Sequence, residues 1–229
     1  MPRRERPPKT SRSEHWMRVA VNEHAEMLNS LIRQTFGWHV NEEIEWLSPV
    51  AQDEYAEYFD EAFLDRLGVS NIPIELDTFW PARGPRWDGL AKTASGKRIL
   101  VEAKAHVEEM VHHGSRATDP NSLQQISASL ARTKDAFKAA SDLQSWMTPF
   151  YQYTNRLAHL YFLRQLKGID AYLIFLFFAN APDVSDPCSA DEFRGAERLI
   201  SKCLGLPRLH PFAHCTRSLI LDVRQITKI

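Results

Sequence analysis

The chain lacks an apolar run long enough to cross a membrane as a helix. Its longest apolar stretch, AYLIFLFFA at 171–179, has nine residues, whereas a membrane-spanning helix needs about 20. This stretch is more typical of a buried strand. The basic, proline-rich start, MPRRERPPKTSR, has no apolar segment and so does not resemble a secretory signal. We expect no membrane segment, and a flexible basic arm over residues 1–12.

Cysteine is scarce. The three cysteines, Cys188, Cys203 and Cys215, are scattered, and no two of them form a Cys-x-x-Cys pair. An odd, scattered set of this kind indicates free thiols and lacks the usual close pair of zinc ligands. We therefore predict free thiols in a reducing compartment, and hence a cytoplasmic protein.

Several familiar function motifs are also missing. The sequence contains no Gly-rich phosphate loop, no Gly-x-Ser-x-Gly elbow and no His-Glu-x-x-His helix, which argues against an NTPase, an esterase and a zinc peptidase. It has no helix-turn-helix or zinc-finger signature. The formal net charge is −1, so no overall basic field indicates a nucleic-acid partner.

What the 229 residues do contain is an alternation of helical and strand patterns. The predicted order is helix, possible strand, helix, three strands, two helices, strand, helix, strand. This order predicts an α/β fold in which helices flank a mixed sheet on both faces. We expect one domain over residues 13–229. The predicted helices span residues 13–36, 52–67, 119–140, 151–166 and 190–204, and the predicted strands span residues 72–80, 86–91, 97–105, 171–179 and 218–226.

The first predicted helix carries a misplaced carboxylate. At 100° per residue, Glu23 falls inside the apolar stripe of residues 13–36. A carboxylate on a buried face is costly unless it is paired or bound to a metal. In the second helix, by contrast, Glu54, Glu57 and Glu61 are predicted to point away from the apolar face and into solvent.

The segment RWDGLAKTASGKRILVEAKAH, residues 86–106, predicts a β-hairpin. Side chains alternate between the two faces of a strand, so Leu100, Glu102 and Lys104 share one face. If the turn centres on Ser95, Asp88 lies opposite Glu102, and cross-strand Cβ atoms are about 4.5–5.5 Å apart. Two carboxylates and an ammonium group then share one small volume.

Such a pair of carboxylates is suited to a hard divalent cation. Adjacent carboxylates repel each other unless a cation lies between them. Mg²⁺ binds one or two carboxylates together with waters and phosphate oxygens. A bound Mg²⁺ activates water and neutralises phosphoryl charge, and Lys104 would add a positive charge beside the phosphorus. The hairpin thus has the groups that phosphodiester hydrolysis requires.

Asp88, thirteen residues and then Glu102-Ala103-Lys104 on an apolar strand resembles the PD-(D/E)XK, or restriction-endonuclease-like, nuclease superfamily. The resemblance implies that Asp88, Glu102 and the Ala103 carbonyl bind Mg²⁺, for which Mn²⁺ substitutes, and that Lys104 serves the attacking water and the transition state. One departure is Trp87, which stands where the motif has proline.

The resemblance extends beyond the hairpin. Many members carry an acidic residue on the first helix that reaches the same metal, and Glu23 corresponds to it. A polar residue early in the helix after the hairpin, here Gln124, touches the substrate in related nucleases. DNA is the substrate that the family implies, and a homodimer is plausible by the same analogy.

A polar stripe on an otherwise apolar helix also points to a site. Gln152, Asn155, Arg156 and His159 lie on one side of the helix predicted over 151–166. Buried polar groups need a polar partner, water or a ligand, so we predict Gln152, Asn155 and Arg156 as substrate-binding residues. Two alternatives stay open: an ordinary hairpin with a solvated charged face, and a non-catalytic nucleic-acid- or protein-binding module on the same fold.

Overall fold

A computed structural model describes residues 11–69, 75–111 and 114–227. These residues form one five-stranded sheet and a set of helices around it. The strands are β1 (Ile44–Ser48), β2 (Gly89–Thr93), β3 (Arg98–Lys104), β4 (Ala171–Ala179) and β5 (Thr216–Asp222). The α-helices are α1 (Arg12–Asn22), α2 (Ala25–Phe36), α3 (Glu61–Arg66), α4 (Leu76–Phe79), α5 (Pro120–Ala136), α6 (Leu143–Met147), α7 (Tyr151–Tyr161) and α8 (Ala190–Cys203).

The sheet is mixed, and its spatial order follows the chain, β1-β2-β3-β4-β5. β1 and β2 pair antiparallel, as do β2 and β3. β3 pairs parallel with β4, and β4 pairs parallel with β5. β3 is thus the strand at which the antiparallel half meets the parallel half. The prediction of an α/β fold with a mixed sheet is confirmed.

The sheet separates two apolar layers. Ile99, Val101 and Ala103 of β3 pack with residues of α1 and α2 on one face. Leu100 of β3 and Phe175 of β4 pack with residues of α5, α7 and α8 on the other face. Because helices cover both faces, β4 reads as a continuous apolar run. No helix among the described residues is long and apolar enough to cross a membrane.

The helix predicted over residues 13–36 is two helices. α1 ends at Asn22 and α2 begins at Ala25, and His24 lies between them with a non-helical backbone (φ −131°, ψ 30°). This break turns Glu23 out of the apolar stripe, so its side chain is exposed. The prediction that Glu23 lies on a buried face is wrong. Of the predicted arm, residues 1–10 lie outside the described residues, and α1 already begins at Arg12.

The helix predicted over residues 52–67 is largely absent. α3 supplies its last part, and a short 3₁₀ segment, Ala51–Asp53, opens it. Between them, Glu54 and Tyr55 have positive φ, and Tyr58 forms an isolated antiparallel bridge with Trp87. This bridge places Glu57 inside the protein, where its exposure is 8 %. The prediction that Glu57 is solvated is therefore wrong.

The strand predicted over residues 72–80 is also corrected. Its residues 72–74 lie outside the described residues, and Leu76–Phe79 forms the short helix α4. The side chains of α5 satisfy the carbonyl groups of α4: Ser129 donates to the Phe79 carbonyl and Gln125 to the Asp77 carbonyl. α4 therefore packs against a helix instead of pairing with a strand.

Candidate active site

The β2–β3 hairpin brings the motif residues together. Gly89 pairs with Val101 and Leu90 with Leu100, so the register that follows from a turn at Ser95 is confirmed. One residue beyond this pairing, Asp88 lies beside Glu102. Oδ2 of Asp88 accepts the Ala103 N–H at 2.8 Å. The Asp88 carboxylate thus continues the hydrogen bonding of the hairpin past the end of β2.

Glu102 lies under two cations. Its side chain is 2 % exposed. An ionised carboxylate buried to this extent without a charged or hydrogen-bonding partner would be strongly disfavoured. Lys104 donates to Oε1, and Arg156 Nε donates to Oε2 at 2.6 Å. Desolvation opposes ionisation of Glu102, but the charges and hydrogen bonds of Arg156 and Lys104 outweigh it and hold the pKa of Glu102 below its ordinary value.

Arg156 is fixed by further contacts from the hairpin and from α7. Its Nη2 donates to the Arg86 carbonyl at 2.8 Å, and its Nη1 donates to Oδ1 of Asn155 at 2.8 Å. Its guanidinium lies over the Trp87 ring, 5.0 Å from the centroid. With an exposure of 3 %, Arg156 ties α7 to β3 across the motif.

Asp88 has the opposite electrostatic balance. Burial raises the pKa of Asp88 well above its ordinary value, and the negative charges of Glu102 and Glu57 raise it further. Lys104 and the Ala103 N–H oppose this shift without reversing it. Protonation or a divalent cation would each relieve the repulsion at Asp88. The hairpin end is therefore a place where added positive charge is stabilised.

These residues lie at a cavity of about 1110 Å³. Six residues predicted for the site line it, namely Asp88, Ala103, Lys104, Gln152, Asn155 and Arg156. Glu102 is buried and does not line the cavity, but it accepts a hydrogen bond from Lys104, which does. Two further predicted residues, Gln124 and Glu23, are also not part of the lining. Gln124 is an exposed residue of α5, and Glu23 follows the end of α1 and is exposed.

The structure also brings in a carboxylate that the sequence did not indicate. Glu57 lines the same cavity as Asp88 and is close enough to raise the pKa of Asp88. It reaches this place through the Tyr58–Trp87 bridge, which sets the loop before α3 against the start of β2. No local sequence signal marks this bridge, since it joins residues far apart in the chain.

His159, the fourth residue of the polar stripe on α7, is a buried residue that packs inside the protein. Its Nδ1 hydrogen-bonds the Asn155 carbonyl at 2.8 Å, and its ring packs against Trp80 at a centroid distance of 5.1 Å. Burial lowers the pKa of His159 to about 3, so the ring is neutral at physiological pH. His159 therefore supports the wall of the cavity rather than supplying charge to it.

The donor set is suited to a cation that completes its coordination with substrate. Within residues 11–69, 75–111 and 114–227, no group of three or more His, Cys, Asp and Glu side chains is arranged to hold a metal ion. Mg²⁺ does not need such a cage, because it usually binds one or two carboxylates and keeps waters or phosphate oxygens in its remaining positions. Asp88, with Glu102 and Glu57 beside it, offers oxygen ligands of this kind.

Comparisons of the chain with protein-family models, with curated proteins and with solved structures found no match. What the site can do is therefore argued from the hairpin, the buried charges and the cavity alone.

Proposed function

We propose that this chain is a Mg²⁺-dependent nuclease with a restriction-endonuclease-like core that hydrolyses DNA phosphodiester bonds. The observation that carries the proposal is the end of the β2–β3 hairpin, where Asp88, Glu102 and Lys104 meet beside a cavity. Two neighbouring carboxylates, Asp88 and Glu102, and a lysine two residues after Glu102 on the same strand are the groups that metal-assisted phosphodiester hydrolysis requires.

The acidic residues of the site would bind the metal ion, and the basic residues would stabilise negative charge. Asp88, Glu102 and the Ala103 carbonyl would hold Mg²⁺, with Glu57 beside them. When bound, the ion would polarise a phosphate oxygen and acidify a bound water. Lys104 places its ammonium group at the cavity, where it stabilises negative charge that develops on the phosphate. Arg156 holds the Glu102 carboxylate in place through a hydrogen bond from Nε and an ion pair from Nη2.

The non-catalytic alternative also has an observation in its favour. The Lys104 ammonium and both Glu102 oxygens already satisfy one another and Arg156. A binding module that keeps these charges as a structural cluster would have the same geometry. The two functions differ in whether a divalent cation binds at Asp88 and whether DNA is cut.

The metal requirement tests the proposal directly. We expect purified protein to cut DNA within a panel of single-stranded, linear duplex and plasmid substrates with Mg²⁺ or Mn²⁺, and to leave the whole panel intact with chelator. Calorimetric titration with Mn²⁺ is expected to show at least tenfold weaker binding to Asp88→Asn than to wild type, because a carboxylate ligand is lost. Glu23→Gln is the matched control, since Glu23 is exposed and does not line the cavity. DNA left intact under all divalent ions, or equal Mn²⁺ affinity for Asp88→Asn, would contradict the proposal.

The raised pKa of Asp88 predicts a pH dependence of the metal-free protein. Above the unfolded pKa of 3.8, the native state retains a proton on Asp88 that the unfolded chain releases. The free energy of unfolding therefore falls as pH rises from that value through the native pKa of Asp88. Asp88→Asn should remove this slope. Urea unfolding in chelator at several pH values measures it, and an unchanged slope in the variant would show that Asp88 is not its source.

A further inference from the structure

The reactive groups lie at the bottom of a recess. Glu57 and Lys104 both line the cavity, yet each is only 8 % exposed. The cavity volume, about 1110 Å³, is close to the upper end of the range of small-molecule pockets, about 300–1,000 Å³. A phosphate must therefore enter the protein to reach Lys104.

The walls surround this recess from several directions. They come from the first turn of α1, the loop that leads from α4 to β2, residues 109, 111 and 114–119, and the start of α7. Duplex DNA is stiff, with a persistence length of about 50 nm, so its backbone does not bend into a local recess without distortion. A single strand bends freely and can present one phosphate at a time.

The cavity lining carries three exposed arginines, together with the carboxylates of Glu14, Glu109 and Asp119. Arg83, Arg86 and Arg116 are exposed residues that line the cavity. Within the described residues these guanidinium groups form no ion pair, and Arg86 lies over the Phe59 ring, 4.8 Å from its centroid. Three such guanidinium groups at one mouth are suited to a chain of phosphates.

The wall also offers an aromatic surface. Tyr151, at the start of α7, is half-buried and lines the cavity, and its ring packs on the buried Trp80 ring at a centroid distance of 6.4 Å. Pro81, Pro85 and Val111 add apolar lining nearby. Proteins that bind single strands combine a cationic track with aromatic rings on which unpaired bases stack. In a duplex the bases are stacked on one another, so their faces cannot stack on an aromatic ring of the cavity wall.

We propose that the cavity admits an unpaired DNA strand and excludes a continuous duplex. This inference rests on the nuclease function proposed above for the cleavage it invokes, but the strand preference itself follows from the recess, the three arginines and Tyr151. The arginines guide the backbone, and Tyr151 takes an unpaired base while the adjoining phosphate reaches Lys104.

The experiment compares two circles of the same sequence, one single-stranded and one relaxed, covalently closed duplex, each with Mg²⁺. We expect the single-stranded circle to be cut at least 100-fold faster. In parallel, fluorescence anisotropy in chelator measures binding of a labelled single-stranded oligonucleotide and of its blunt duplex. Arg116→Ala and Tyr151→Ala should each weaken binding of the single strand about threefold to tenfold. Arg208→Ala, an exposed arginine outside the cavity lining, should not.

The outcomes separate the two proposals. Equal cutting of both circles, or equal binding of single strand and duplex, overturns the strand preference and leaves the nuclease proposal intact. If neither circle is cut, the nuclease proposal fails, and the anisotropy arm alone decides the strand preference. Tighter binding of the single strand that depends on Arg116 and Tyr151 would then support it. Thermal unfolding of each variant confirms that lost binding does not reflect lost fold.

Discussion

Lys104→Met is expected to lower the rate of DNA cleavage by about 10²–10³-fold with the fold retained. The Lys104 ammonium lies at the cavity beside Asp88 and Glu102, where a positive charge acts in a water-poor setting on the reacting phosphate. Methionine keeps most of the unbranched stem and removes the charge. Glu102 stays paired with Arg156, so we expect only a small loss in the free energy of unfolding.

The control for this variant is Lys92→Met. Lys92 lies on the neighbouring strand β2 and pairs with Glu45 at 3.0 Å on the surface, so its removal takes away the same charge from the same sheet without touching the cavity. Single-turnover cleavage of a labelled DNA strand under saturating Mg²⁺ gives both rates. Equal rates for wild type and Lys104→Met would remove Lys104 from the reaction and favour the binding module.

Arg156→Met is expected to destabilise the protein by about 3–5 kcal/mol. The Glu102 carboxylate is 2 % exposed, and without the guanidinium it keeps only Lys104 as a neutralising partner. The variant also leaves the Arg86 carbonyl without the donor it now has. Losing one partner of a buried ion pair costs far more than losing an exposed pair, because the remaining charge stays out of water.

Urea unfolding measures this loss, with Arg194→Met as the control. Arg194 pairs with Asp191 on the exposed face of α8, and such surface pairs contribute about 0–1 kcal/mol. Adding Glu102→Gln to Arg156→Met should recover part of the stability, since the uncompensated charge is then gone. A loss in Arg156→Met no larger than in Arg194→Met would show that the Glu102–Arg156 pair does not hold α7 to β3.

The hairpin end could be predicted from the sequence because its determinants are local. The alternation of Leu100, Glu102 and Lys104 and the turn at Ser95 fix which side chains share a face and which residues are opposite. Arg156 was also indicated, because a polar residue on an apolar helix needs a partner. The identity of that partner, Glu102, could not be read from the pattern, since the two residues meet only when α7 packs on the sheet.

The acidic residues near the motif were predicted least well, and the reason is backbone geometry. Helical periodicity continued through Glu23, but the chain leaves the helix at His24 and turns Glu23 outward. The same periodicity placed Glu57 in solvent, whereas positive φ values at Glu54 and Tyr55 break that helix and bury Glu57. Neither break has a glycine or proline to mark it, so tertiary contacts decided both.

The Glu102–Arg156 contact also constrains the order in which the protein can fold. Asp88 and Ala103 are 15 residues apart, so the hairpin that joins them can close early, whereas Arg156 lies 54 residues from Glu102 in sequence. Closing that longer loop costs more chain entropy. Until it closes, the Glu102 carboxylate must stay hydrated, because burying it without Arg156 is costly. The recess is therefore completed only when α7 docks, and a chain released before α7 would carry the whole Asp-Glu-Lys motif without the buried charges that define the site.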